Sequence, residues 1–214
     1  MYKKPLFIVF EGIEGCGKSY QSKRLAQNLK KKKILSVLTR EPGGTQSAEL
    51  IRNLILKDYF TKNNVEKFDK YTDTLLYLAA RNEHVKNKIL PSLKKKRIVI
   101  CDRFTDSTIA YQVFGKKVPF NFISNIHKYI LNSVKPDLTF ILKVSRRSSK
   151  KRLRSRKTKN RYDNFSQIFY DRAQRAFLKI AKGRRNYYIF DSSANNKNLE
   201  KKIFEIVYKK LKNQ

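Results

Sequence analysis

Short apolar runs alternate along the chain with longer stretches whose apolar residues recur every three or four positions. The runs at residues 6–10, 34–38, 98–101, 138–144 and 187–190 lack a regular apolar–polar alternation. Their lengths suit strands buried on both faces, as in a parallel sheet covered by helices. Between them, residues 18–31 predict a helix with Leu25 and Leu29 on one face. Residues 72–90 predict a long helix, stopped by Pro91, with Leu75, Leu76, Leu78 and Ala79 inward. Residues 124–131 predict a helix ending before Pro136. Residues 165–181 predict another, with Ile168, Ala176 and Ile180 inward and Gly183 as its stop. Residues 199–211 predict a terminal helix. Strand and helix alternating five times predict an α/β fold, a doubly wound, parallel, five-stranded sheet flanked by helices. No internal repeat is visible, and 214 residues fit one domain spanning 1–214. Residues 145–163 are polar and strongly basic and read as a mobile surface segment.

The first apolar run passes straight into "EGIEGCGKSY". Gly12, Ile13, Glu14, Gly15, Cys16, Gly17, Lys18 and Ser19 fit G-x-x-x-x-G-K-[ST], after a predicted strand and at the start of a predicted helix. Glycines let backbone N–H groups converge on an anion, and the helix N-terminus adds its dipole. Lys18 is expected to reach the β- and γ-phosphates of ATP, and Ser19 to ligate Mg²⁺. The pattern predicts a P-loop NTPase fold but leaves ATPases, GTPases, helicases and small-molecule kinases open. A guanine-reading N-K-x-D stretch is absent, which argues against a GTPase.

Composition changes the picture in two ways. Fifty basic against 17 acidic residues give a net charge of +33, so anions are the expected partners. The lysines are scattered, and the chain is also rich in Asn, Ile, Phe and Tyr, all residues with AT-rich codons. The charge therefore reads as genome composition plus a small phosphate substrate, with non-specific nucleic-acid binding as its expected cost. No run of 18 apolar residues suggests a membrane span, and the five apolar residues after Lys3 and Lys4 are too few for a signal peptide. Cys16 and Cys101 offer no disulfide framework, so the reading is a reducing cytoplasm. Cys101 reads as a buried strand residue. Cys16 is either a small residue filling a tight loop or a thiol activated by the helix N-terminus. His84 and His127 lack metal-ligand spacing and read as helix-surface residues.

Four further stretches bear on the phosphoryl acceptor: "TREPGGT" (39–45), "YLAARNEH" (77–84), "CDRFTDSTIAYQ" (101–112) and "RLRSRKTKNR" (152–161). Arg40 falls at the carboxyl end of the second strand, beside the crevice where such sheets bind ligands; alternatively, the stretch is simply a turn. Asp102 ends the third strand, where phosphate-loop enzymes hold a carboxylate for Mg²⁺ or its water. Arg103 either forks onto a phosphate or pairs structurally with Asp102. Tyr77 and Arg81 are four apart and project together from one helix. Thr108, Tyr111 and Gln112 are spaced to line one side of the same pocket. Glu14 is out of place beside phosphates unless it faces something else.

In this order and spacing, these stretches and "KPDLTFIL" (135–142) resemble the thymidylate kinases over roughly residues 6–181. The resemblance implies transfer of the γ-phosphoryl group of ATP to dTMP, in dTTP synthesis for DNA replication, by a homodimer that packs helices including the one near residues 72–90. It implies that Arg40 and Arg103 hold the acceptor phosphate. Tyr77 would stack on thymine, and Arg81 would donate to a base carbonyl. Tyr111 would crowd the sugar 2′ carbon, Thr108 and Gln112 would approach the base, and Glu14 would meet the 3′-hydroxyl. Some members carry an arginine inside the phosphate loop, where this chain has Gly15. The resemblance then implies a catalytic arginine from a basic lid at about residues 145–163, with Arg156 and Arg161 matching best.

The departures are specific. Tyr77 stands where the family usually has Phe, so its hydroxyl needs a partner. The segment Val113-Phe114-Gly115-Lys116-Lys117 replaces a glycine-rich loop that usually bears an arginine, and Asp163 replaces a glutamate. Tyr20 stands where threonine is common, which predicts weaker ATP binding. The alternatives are a kinase for another nucleoside monophosphate, and a P-loop ATPase or RNA-binding protein.

Overall fold

The computed structural model describes residues 4–57, 68–155, 162, 165–193 and 197–213. Five strands form one parallel sheet: β1 (Phe7–Glu11), β2 (Ser36–Arg40), β3 (Ile98–Asp102), β4 (Leu138–Lys143) and β5 (Tyr187–Asp191), in the order β2-β3-β1-β4-β5. Phe7 aligns with Val99 of β3, Ile8 with Leu138 of β4, and Thr139 with Tyr187 of β5. All five predicted strands are present, each within two residues of its expected start. β1 explains why its run does not alternate. Ile8 and Phe10 enter one core with Leu25, Leu29, Phe177 and Val207, while Phe7 and Val9 enter another with Val85, Ile89 and Phe104. Both faces are covered, so Phe7 to Phe10 are all apolar.

The helices are α1 (Lys18–Lys31), α2 (Gln46–Leu56), α3 (Lys70–His84), α4 (Leu90–Lys94), α5 (Thr105–Thr108), α6 (Phe120–Ile130), α7 (Arg146–Arg154), α8 (Gln167–Ala181) and α9 (Lys197–Lys212). α1 has the predicted bounds. Pro91 does not stop the long helix. A π-helical turn, Val85–Ile89, follows α3, and Pro91 sits in the first turn of α4. The backbone stays helical from α3 through the π-helical turn into α4, with Ile89 and Leu90 both in the right-handed region.

The inward faces also need correction. Thr74, Leu78 and Arg81 are buried on α3, whereas Leu75 and Ala79 face out. On α8, Ala173, Ala176 and Phe177 are buried, and Ile168 is exposed. The segment read as mobile from residue 145 begins as helix α7, capped by Ser145 and anchored by the buried Ser149, whose Oγ donates to the Glu14 carbonyl at 2.9 Å.

Candidate active site

A cleft of about 750 Å³ opens at the carboxyl ends of β1, β2 and β3. Its floor is the loop between β1 and α1. Gly12, Gly15 and Gly17 have φ of 137°, 72° and 91°, which side chains disfavour. Gly15 is doubly constrained: a Cβ there would lie 2.8 Å from the Ser149 carbonyl oxygen of α7. An arginine in the loop at this position has no room, because α7 occupies it. Lys18 folds back to donate to the Ile13 carbonyl at 2.8 Å, and Ser19 Oγ donates to Asp102 Oδ2. Ile13 and Cys16 are buried beneath the loop, and Tyr20 lines the cleft while largely exposed.

The two sides of the cleft meet at Arg103, whose backbone takes the left-handed φ of 75°. Its Nη1 donates to the Gly12 carbonyl at 2.9 Å and to Ser107 Oγ at 3.0 Å; its Nη2 donates to Glu14 Oε1 at 2.6 Å. Tyr111 donates to Glu14 Oε2 at 2.5 Å, and its ring lies 5.2 Å from the Arg103 guanidinium. Burial alone would raise the Glu14 carboxyl, but the charges of Arg103 and Lys18 hold it below the usual carboxylate range. Arg103 therefore pairs with Glu14, not with its sequence neighbour Asp102.

Tyr77 and Arg81 both line the cleft. The Tyr77 hydroxyl has found its partner, donating to Tyr162 Oη at 2.6 Å. Arg81 is only 3% exposed and is held by Glu41 Oε2 at 2.7 Å, Thr108 Oγ1 at 2.7 Å and the Phe104 carbonyl at 2.9 Å. Gln112 is 1% exposed, and its Nε2 has no hydrogen-bond partner among the described residues. A buried amide N–H left unpaired in a cleft wall calls for an acceptor from a ligand.

Arg40 is half-exposed and bound to Glu49 at 3.0 and 3.1 Å. Arg156 and Arg161 lie outside the described residues, as does Asp163.

Arg52 lines the cleft with no readable signal in the sequence, and Arg152 is marked there only as one of the basic stretch 152–161. Arg52 donates to the Pro42 carbonyl at 2.6 Å, and burial and the adjacent Arg40 charge lower its pKa. Two cations crowded at one wall suit an anionic ligand. Arg152 of α7 donates to the Gly15 carbonyl at 3.1 Å and the Ser192 carbonyl at 2.6 Å. Glu11, ending β1, accepts from the backbone N–H groups of Phe104 (2.8 Å) and Ser107 (3.1 Å) and from Ser107 Oγ (2.5 Å). It ties the phosphate-loop strand to the loop bearing Arg103. A carboxylate closing an otherwise apolar strand was the available clue. The two histidines are not on the surface. His84 bridges Thr39 Oγ1 (2.7 Å) and Glu41 Oε1 (3.0 Å), and His127 lies 2.8 Å from Arg81 Nη1; both are buried.

A phosphate loop and a second polar wall, joined across the head of a five-stranded parallel sheet, define a nucleoside monophosphate kinase of the phosphate-loop class. A family profile described as thymidylate kinase matches residues 10–203. A thymidylate kinase of Wolbachia pipientis subsp. Culex pipiens is 40% identical over 213 residues, covering 97% of this chain and 98% of the relative. One from Wolbachia pipientis wMel is 44% identical over 179 residues, covering 82% and 85%. The crystal structure of thymidylate kinase from Ehrlichia chaffeensis superposes with a TM-score of 0.73 at 32% identity, covering 95% of this chain and 99% of that one. The chain belongs to the thymidylate kinase family.

Proposed function

We propose that this chain transfers the γ-phosphoryl group of ATP to dTMP, giving ADP and dTDP. The observation that carries the reading is the bridge made by Arg103, which joins the phosphate loop at Gly12 and Glu14 to the wall bearing Tyr111. A guanidinium at that junction can neutralise the acceptor phosphate beside the point of transfer. The loop from Gly12 to Ser19 holds the donor phosphates, with Lys18 swinging from Ile13 to the transferred group. Arg40 and Arg52 supply further positive charge for the acceptor phosphate.

Tyr77 offers a stacking face, and Arg81 and Gln112 offer donors to base carbonyls. The unpartnered Gln112 Nε2 supports this assignment. Glu14 and Tyr111 line the acceptor sugar. The attacking oxygen belongs to a phosphate monoester, largely ionised near neutrality since its second pKa is about 6. Alignment and charge neutralisation are what the protein must supply.

Ser19 Oγ and Asp102 Oδ2 are adjacent hard oxygen donors at the loop mouth, a set that fits Mg²⁺ better than a softer metal. Ser19 and Asp102 would hold the ion, which would supply positive charge against the donor phosphates. A lid arginine, Arg152 or one beyond it, completes the neutralisation and limits hydrolysis.

We propose the homodimer of the family as well. Leu50 and Leu54 on α2 and Leu75 on α3 are exposed on neighbouring helices, an apolar surface that a second copy would cover. Cys16 and Cys101, both free thiols, suit a reducing cytoplasm. No helix among the described residues is long and apolar enough to cross a membrane. A coupled ADP-release assay over dTMP, dUMP, UMP, CMP and GMP tests the reading; dTMP is expected to give the highest kcat/KM.

A further inference from the structure

A guanidinium has five N–H donors. The structure commits four of those in Arg81: one to Glu41, two from Nη1 to Thr108 and His127, and one from Nη2 to the Phe104 carbonyl. One Nη2–H remains. Arg81 lines the cleft beside Tyr77 and Gln112, so this N–H is the donor left for a ligand.

Glu41 and Phe104 approach from the loops after β2 and β3, and Thr108 from α5. His127 approaches from α6, which packs against α3. An imidazole accepts a hydrogen bond only through an unprotonated ring nitrogen. His127 is 9% exposed and faces the Arg81 cation, with the Glu41 carboxylate beyond. Burial and Arg81 push its pKa down to about 3, and Glu41 only partly opposes them. His127 is therefore neutral near pH 7, with the lone pair on Nε2 and the proton on Nδ1.

We propose that His127 is a positioning residue for acceptor selectivity: its Nε2 holds Arg81 in the rotation that turns the last Nη2–H towards a keto oxygen of the acceptor base. The inference rests on the reading of Arg81 as a base-contacting group. Thymine carries a carbonyl acceptor where cytosine carries an amino donor. A fixed N–H pairs with the first and confronts the second. Without His127 three anchors remain on Arg81, and a less tightly held guanidinium discriminates less, because it can turn to relieve the mismatch.

The test is the steady-state kinetics of His127→Leu and His127→Gln, with Arg81→Lys alongside, on dTMP, dCMP and ATP. His127→Leu is expected to raise the KM for dTMP about tenfold and to lower the dTMP-over-dCMP preference about tenfold, with the KM for ATP unchanged within about twofold. His127→Gln, whose amide oxygen accepts, is expected to restore both to within about threefold of the unsubstituted protein. A merely structural role would lower the active fraction without separating the two KM values. Unchanged His127→Leu kinetics beside an impaired Arg81→Lys overturn the inference and leave the base reading standing. An unchanged dTMP KM in Arg81→Lys overturns both. If His127→Leu does not fold, ¹⁵N-histidine NMR of the unsubstituted protein decides. The expected signal is an unprotonated Nε2 from pH 6 to 8, and a protonated Nε2 overturns the inference.

Discussion

Arg103 in the loop after β3 and Glu14 in the phosphate loop form an ion pair of 2.6 Å, side by side beneath the Tyr111 hydroxyl. The pair couples the donor side of the cleft to the acceptor side. Glu14 holds Arg103 fully charged against the desolvation that would lower its pKa. Arg103→Ala is expected to reduce kcat/KM for dTMP by about 10²–10³-fold, since it removes a cation beside the transferring group. The KM for ATP is expected to move little. A variant with near-normal dTMP turnover would remove Arg103 from the reaction.

The Tyr77–Tyr162 hydroxyl bond separates two properties of one side chain. Tyr77→Phe keeps the ring and loses the 2.6 Å bond. Its KM for dTMP is expected to stay within about threefold, while its Tm falls by roughly 2–4 °C for a bond worth about 1 kcal/mol. Tyr77→Ala loses the stacking face and is expected to raise the dTMP KM at least about tenfold. Equal KM values for the two variants would mean that the ring does not stack on the base.

Glu11 gives a pH signature. Burial and the neighbouring Asp106 push its carboxyl from an ordinary 4.5 up to about 8. A carboxyl whose pKa is raised by folding keeps its proton in the folded chain after the unfolded chain has lost it. Its stabilisation is complete below about pH 4.5 and is lost as pH rises through about 8. Glu11→Gln keeps an acceptor for the N–H groups of Phe104 and Ser107 without the titration. From pH 5 to 8.5 the unsubstituted protein is expected to lose Tm relative to this variant. Parallel Tm curves in calorimetry would contradict the raised pKa.

Tyr20 lines the cleft one residue after Ser19 and is 54% exposed. Its side chain is too long to repeat the short hydroxyl contact that threonine would make from the same backbone position. Tyr20→Thr is expected to lower the KM for ATP severalfold with kcat retained. An unchanged ATP KM would show that this position does not limit donor binding.

The strands were legible because a sheet buried on both faces leaves no freedom at positions such as Phe7, Ile8 and Val9. The phosphate loop was legible because its glycines and Lys18 are local in sequence. The helix faces were harder to read. Thr74, Arg81 and His84 are polar yet buried, since each is satisfied by a hydrogen bond that no period reveals. Leu75 and Ala79, read as inward, point outwards. Pro91 misled because a π turn precedes it, and such a turn leaves no mark in an apolar pattern. Arg52 and Arg152 blended into a chain with 50 basic residues, so only position in space distinguishes them.

The most direct measurement is ATP turnover with Mg²⁺ under three conditions: no acceptor, added RNA, and added dTMP, with the products resolved by chromatography. The predicted result is little ADP release alone or with RNA, and rapid release with dTMP matched one-to-one by dTDP. ADP release stimulated by RNA, or indifferent to dTMP, would contradict the assignment of this cleft to phosphoryl transfer onto a thymidine nucleotide.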